Sequence, residues 1–258
     1  MASVLITGAT GLIGRWTMAA WPDDLDVSVL NHREHDLTDS EAFVAAVRAA
    51  RPDVLLHLAW CASGTSGYRS SSDNALWSAS SLSAARFCLD HDIHFVGTGT
   101  VLDEGPPADL YTAAKRELRQ GLTAPIDEGS VTWIRPFYVF DHGSRRPALV
   151  EESVAAAAED RDVELRSPDS THDFIHAADV GRAVVAAVQH QLTGSIDVGS
   201  GRLRSVRQVA MACGARVREA VAEDRMVDAV ADTERLRKTG WSPTATAEFF
   251  STVDGVVI

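Results

Sequence analysis

Short, nearly continuous apolar runs alternate with longer stretches of helical period along the first half of the chain. The runs fall at residues 4–6, 27–30, 54–58, 93–96 and 131–134. Each has strand length and lacks the in-and-out polar alternation of a half-exposed strand. Helices are predicted through Trp16, Met18 and Ala19, over 40–50 with Ser40 as its cap, and over 74–90 and 110–122. Arg51-Pro52-Asp53 ends the second of these. Strands buried on both faces and separated by helices predict an α/β, doubly wound parallel sheet.

Beyond residue 140 the pattern changes. Helices predicted at 147–159, 178–190 and 205–213 alternate with short strands near 163–165 and 195–198. Lys238-Thr239-Gly240-Trp241-Ser242-Pro243 punctuates the chain before a last short stretch. No repeat or low-complexity linker intervenes. The expected organisation is a main portion at 1–140 and a smaller, partly intertwined C-terminal substrate lobe at 141–258 with segments returning to the main domain.

Composition narrows the classes. With 45% apolar residues among 258, the chain can fill a substantial core. A net charge of -12 opposes non-specific binding to nucleic acid or an anionic membrane and leaves room for a local basic pocket. Only Lys115 and Lys238 are lysines; the other 22 basic residues are arginine. Cys61, Cys88 and Cys213 have neither disulfide nor zinc spacing, and no metal site is expected. Met1-Ala2-Ser3-Val4-Leu5-Ile6 does not read as a leader, and no apolar run is long enough to span a bilayer. The expectation is a reduced, soluble, cytoplasmic protein.

Gly8, Gly11 and Gly14 follow the first strand and open the first helix. Such a turn lets backbone approach a dinucleotide pyrophosphate, with Leu12, Ile13 and Arg15 at the helix start beside it. This makes the sheet Rossmann-type. The second strand ends Val29-Leu30-Asn31-His32-Arg33. An acidic residue there would suit NAD and repel a 2′-phosphate. Asn31 lacks that repulsion, and Arg33 and Arg15 supply positive charge, so NADP is preferred with NAD as the alternative.

Tyr111-Thr112-Ala113-Ala114-Lys115 sets a phenol and an ammonium four apart, on one helix face. The ammonium makes the phenol a usable proton donor and acceptor. With the glycine turn, this pair resembles the extended short-chain dehydrogenase/reductase family, in its NAD(P)-dependent sugar epimerase, dehydratase and reductase group. Asp36-Leu37-Thr38 is similar to that family's adenine-side turn, and the run from Arg51 to Ala59 to its strand beside the cofactor. The resemblance extends through Arg135-Pro136, the motif from His172 to Val180, Gly199-Ser200-Gly201 and the segment 232–243.

The resemblance implies that Asp36, Leu37, Leu58, Ala59 and Trp60 join the cofactor site and that Lys115 and Tyr111 reach its ribose. It also implies that Thr98 orients the substrate oxygen, with Thr100 in reserve. Asn74 would open the family's long helix. The chain departs from the group in three places. Only 12 residues separate Thr98 from Tyr111, His172 stands where an arginine is common, and Asp141 replaces a glycine.

Trp60, Tyr68, Trp77, Phe137 and Tyr138 are candidates to frame a sugar-sized pocket, and Arg145 and Arg146 to meet a substrate phosphate. His57 reads as a packed strand residue. The expected function is reduction of a keto group on a nucleotide-activated sugar, with catalytic residues Thr98, Tyr111 and Lys115. Epimerisation by transient oxidation is the nearest alternative, and a catalytically inactive NADP-binding regulatory or scaffold protein the other. A homodimer through the helices at 74–90 and 110–122 is implied by the resemblance.

Overall fold

The computed structural model describes residues 2–61, 67–141, 148–219 and 229–254. The chain runs β1 (Val4–Thr7), α1 (Leu12–Ala19), β2 (Val27–Leu30), α2 (Ser40–Ala50), β3 (Val54–His57), α3 (Asp73–Asp90), β4 (His94–Thr98), α4 (Leu110–Gly121), α5 (Thr123–Asp127) and β5 (Val131–Pro136). It continues with β6 (Tyr138–Phe140), α6 (Leu149–Ala158), β7 (Asp162–Leu165), β8 (Thr171–His176), α7 (Ala177–Gln189), β9 (Gly194–Val198), β10 (Leu203–Ser205), α8 (Val206–Ala212), β11 (Arg216–Glu219), α9 (Glu234–Arg237) and α10 (Thr244–Asp254). Contacts divide it into two compact units. One comprises Met1–Arg135 and Gly181–Ile196, the other Pro136–Val180 and Asp197–Ile258.

The first unit carries a six-stranded sheet of order β2-β1-β3-β4-β5-β9. Pairing is parallel from β2 through β5. All four residues of β1 are buried, as a central strand covered on both faces requires, whereas the edge strand β2 leaves Ser28 and Val29 exposed. The predicted doubly wound sheet is present. After β1 the chain steps outward to β2 and returns to β3 on the other side of β1. The strand order therefore reverses between β1 and β3, and the crevice beyond their carboxyl ends is where such sheets bind ligands.

Local chemistry fixes the helices that flank this crevice. Asp39 caps α2 by accepting from the amides of Glu41 (2.9 Å) and Ala42 (3.1 Å), and Arg51 ends it at φ 47° before Pro52. The sequence places the cap one residue later, at Ser40. Asp109 caps α4 through the Thr112 amide at 2.8 Å, with Thr112 reaching back to the Asp109 amide. The core of this unit gathers Phe43, Val47, Leu55, Phe95, Leu118, Val131 and Trp133.

The second unit holds a three-stranded sheet, β10-β8-β6, and the parallel pair β11-β7. Two buried carboxylates organise its loops. Asp173 accepts from the amide and hydroxyl of Ser200 (both 2.6 Å), the amide of Gly201 (2.9 Å) and that of Ala231 (3.2 Å). Asp179 caps α10 through the amides of Ala245 (3.1 Å) and Thr246 (2.6 Å). The helix expected at 205–213 begins one residue later, because Ser205 closes β10 and caps α8 in a capping box with Gln208.

Candidate active site

At the sheet's reversal point, Gly8 has φ +74°, and a side chain there would meet the amide nitrogen of Ala59 at 2.6 Å and the carbonyl carbon of Leu58 at 2.7 Å. A side chain on Gly14 would overlap the Gly8 carbonyl oxygen and lie 2.8 Å from Ala9. These two glycines let the turn fold onto β3 and onto itself. Gly11 differs: it is exposed, and a side chain there would meet only the Gly8 carbonyl, at 3.1 Å. Its backbone caps α1, so Leu12 and Ile13 occupy the first helical turn, with exposed Arg15 just behind. The result is an open cradle of helix-end amides, the form a pyrophosphate needs.

One imidazole locks this cradle from beneath. His57 is buried, with Nδ1 2.7 Å from the Thr7 hydroxyl and Nε2 2.8 Å from that of Ser81. Thr7 Oγ1 also accepts from the Ala59 amide at 3.3 Å. His57 thus ties the ends of β1 and β3 to α3, a structural part as its sequence setting implies. Burial, helped by the charge of Lys115, lowers its pKa to about 3. The folded state therefore keeps His57 neutral where the unfolded chain would protonate it. Its contribution is complete above pH 6.5 and is lost as pH falls toward 3. Urea titrations across that interval should show several kcal/mol of lost stability, and His57→Gln should flatten the slope. An unchanged slope would refute the role.

Trp60 connects the cradle to the Tyr–Lys helix. It follows Leu58-Ala59, the residues against which Gly8 packs. Lys115 Nζ lies 3.6 Å from the centre of the Trp60 ring, and the Tyr111 ring meets Trp60 edge-on at 6.3 Å. Trp60 is anchored by its indole nitrogen donating to Asn74 Oδ1 at 2.8 Å. Lys115 also donates to the Thr98 carbonyl at 2.8 Å. Burial lowers its pKa to about 7 against the opposing charge of Asp103. Thr98, Tyr111, Lys115 and Trp60 are thus brought together in the first unit, with the glycine turn one tripeptide away.

The hydroxyls are already engaged. Thr98 Oγ1 donates to the His57 carbonyl at 3.2 Å, which leaves its lone pairs to accept. Thr100 Oγ1 accepts from the Leu102 amide at 3.4 Å as the cap of a short turn. That turn is held by Asp103, a buried carboxylate accepting from the Thr100 amide and the Trp133 indole, each at 3.0 Å. Burial raises the Asp103 pKa, opposed by those bonds and by Arg135 and Arg119.

At the end of β2, Asn31 Oδ1 accepts from the Arg33 amide at 3.0 Å, and Arg33 is exposed. Asp36 accepts from the Thr38 hydroxyl (2.6 Å) and amide (2.9 Å), bonds that hold its carboxyl below the usual range. Leu37 is buried, and its carbonyl accepts from Ser80 at 2.7 Å.

Sequence reasoning missed a clamp on the phenol. Arg69 lies 5.5 Å from the centre of the Tyr111 ring and pairs with Asp109 at 2.5 Å, while Tyr68 meets that ring edge-on at 5.4 Å. The ion pair of Asp109 spans 40 residues and leaves no local signal. Among the pocket candidates, Trp77 packs 6.1 Å from Trp60. In the second unit Phe137 is buried and Tyr138 stacks on His172 at 4.0 Å. Arg145 and Arg146 lie outside the described residues.

The cradle, the sheet reversal and the Tyr–Lys helix define an NAD(P)-dependent enzyme of Rossmann type. The model of the NAD dependent epimerase/dehydratase family matches residues 4–199, and the chain belongs to that family. The resemblance read from its motifs therefore holds. Among solved structures, the chain is similar to the UDP-glucose 4-epimerase of Thermus thermophilus in complex with NAD. Identity is 22% over 99% of this chain and 100% of that one, with a TM-score of 0.77. It is also similar to dTDP-4-dehydrorhamnose reductase from Yersinia enterocolitica, at 17% identity over 98% and 100% of the two chains and a TM-score of 0.80. A third likeness is to the UDP-N-acetylglucosamine 4-epimerase of Methanobrevibacter ruminantium M1, at 18% identity, 98% and 97% coverage and a TM-score of 0.76. These likenesses show the shared fold. Comparison with curated proteins returned no match.

Proposed function

We propose that this protein reduces a keto group on a nucleotide-activated sugar and prefers NADP as its cofactor. The observation that carries the reading is the bridge through Trp60, which makes the floor of the glycine cradle and the Tyr–Lys face parts of one surface. The structural relatives act on UDP- or dTDP-linked sugars by their names, which supports the substrate class.

The residues fit the cofactor. The Gly8–Gly14 turn, with Leu12, Ile13 and Arg15, would hold its phosphates. Asn31, Arg33, Asp36 and Leu37 would flank its adenine end, and Leu58, Ala59, Trp60, Tyr111 and Lys115 its nicotinamide half. When bound, the nicotinamide supplies hydride chemistry. Tyr111 holds the proton that the substrate oxygen takes up as its carbonyl becomes an alcohol. Lys115, already aimed at Thr98 and Trp60, reaches the ribose and sets a positive charge beside the phenol. Thr98 positions the substrate oxygen.

One observation favours epimerisation as a second reading. A Thr98 hydroxyl that donates to His57 can only accept from the substrate, which suits an alcohol rather than a carbonyl. The assay that separates these is cofactor bookkeeping across keto- and hydroxy-sugar nucleotides. Stoichiometric loss of NADPH supports the reductase. Sugar inversion without net cofactor change replaces it with the epimerase, and silence toward every substrate leaves the scaffold. Arg33→Ala should weaken NADP roughly tenfold and leave NAD unchanged in binding titrations; equal effects on both would remove Arg33 from cofactor choice.

α3 and α4 leave Leu76 and Leu110 about half exposed, which suits a homodimer through these helices. No described helix is long and apolar enough to cross a membrane, in keeping with the cytoplasmic setting proposed for this reaction.

A further inference from the structure

One buried carboxylate takes no part in the chemistry assigned above. Asp103 stands in the short turn Val101–Asp103 that follows β4. Its Oδ2 accepts from the Thr100 amide and the Trp133 indole, and the oxygen of an asparagine could accept both of those bonds. Its Oδ1 is buried and makes no hydrogen bond; Arg119 Nε, at 3.6 Å, is beyond reach of one. Arg119 and Arg135 are drawn instead to Glu104 Oε1, at 2.7 and 2.5 Å. What the carboxylate adds over an amide is therefore its charge, which is costly to bury without an opposite charge to meet. Such a charge lies across one peptide. A side chain on Gly99 would overlap Asp103 Oδ2, so Asp103 packs against the Gly99 backbone. The carbonyl of the Thr98–Gly99 peptide holds Lys115 Nζ at 2.8 Å, and its amide donates to the Ile134 carbonyl at 2.7 Å. Lys115 is buried, and among the described residues no carboxylate pairs with it directly.

We propose that in the sugar-nucleotide chemistry read above, on which this role rests, Asp103 is a positioning residue, the buried countercharge that keeps the Lys115 ammonium at the Thr98 carbonyl. Its carboxylate acts through the charge and the peptide it packs against, without touching substrate or cofactor. The other titratable groups around the pair do not supply this charge. His57 of β3 is kept neutral by burial, and Arg119 of α4 and Arg135 of β5 are cations. Glu104 is held by both of those arginines, and Asp109 is paired with Arg69 beside Tyr111. Burial lowers the Lys115 pKa to about 7, and the charge of Asp103 opposes that fall. Without it, the ammonium loses its proton at lower pH.

The test is Asp103→Asn in the full chain, which keeps an acceptor for the Thr100 amide and the Trp133 indole and removes the charge. Lys115 and Lys238 are the only lysines, so isotope-labelled lysine gives two NMR signals, and exposed Lys238, paired with Glu234 at 2.7 Å, is the control. In Asp103→Asn the Lys115 titration midpoint should fall by about one pH unit while Lys238 stays in place, and the alkaline decline of kcat should move down with it. Arg119→Gln removes a competing cation and keeps the carboxylate, so it should move both the other way, which a general loosening of the turn would not do. An unmoved Lys115 midpoint in Asp103→Asn, or a moved midpoint with an unmoved kcat profile, would overturn the proposal. Should the asparagine variant not fold, an unmoved midpoint in Arg119→Gln would do the same. A wild type silent toward every sugar nucleotide would take away the reaction and not the countercharge, because the lysine titration needs no substrate.

Discussion

Tyr111→Phe should cut turnover by roughly 10²–10⁴-fold while NAD(P) still binds, because it removes the hydroxyl and keeps the ring. Tyr68, Trp60 and Arg69 pack against that ring, contacts that the variant keeps, so it should fold normally. The checks are kcat on any substrate that the wild type converts and a cofactor titration monitored by fluorescence. Wild-type turnover in the variant would remove Tyr111 from the chemistry and the proposed mechanism with it. A fall in turnover matched by loss of cofactor binding would instead limit the hydroxyl to holding the cofactor and take it out of the proton step.

Gly14→Ala and Gly11→Ala should fail in different ways. A methyl on Gly14 has backbone on every near side, the Gly8 carbonyl and Ala9, and no flexible side chain can give way. Overpacking of this kind costs about 1–3 kcal/mol, and the turn must distort, so stability and cofactor affinity should fall together. At Gly11 a methyl has only the Gly8 carbonyl to press, so stability should be nearly retained. It would still stand on the exposed side where a phosphate must approach, and affinity should fall alone. Denaturant titrations paired with cofactor titrations separate the two; loss of stability without loss of affinity at Gly14 would mean that the turn holds no phosphate.

The parallel core was legible because strands buried on both faces read as nearly continuous apolar runs, as at 4–6 and 54–56. Among the short strands of the second unit, β7 was legible near 163–165, whereas β11 was not. β11 reads Arg-Val-Arg-Glu, and what makes it a strand is its parallel partner β7, with Arg216 opposite Asp162 and Arg218 opposite Glu164. Pairings that span more than 50 residues leave no trace in local periodicity. The site divides in the same way. Its glycine turn and Tyr–Lys spacing are local patterns. The stacking of Lys115 on Trp60, the Arg69 clamp and the direction of the Thr98 hydroxyl follow from which strands and helices become neighbours. Thr98 turns to His57 because β4 lies beside β3, with His57 opposite Gly97.

The imidazole beneath the glycine turn carries a consequence for ligand entry. With Thr7 and Ser81 already joined through His57, and the Ala59 amide held by Thr7, the loop that must receive a dinucleotide has its shape before the dinucleotide arrives. Little backbone freedom remains to be lost at that step, so more of the interaction survives as affinity and docking resembles a key entering a finished lock.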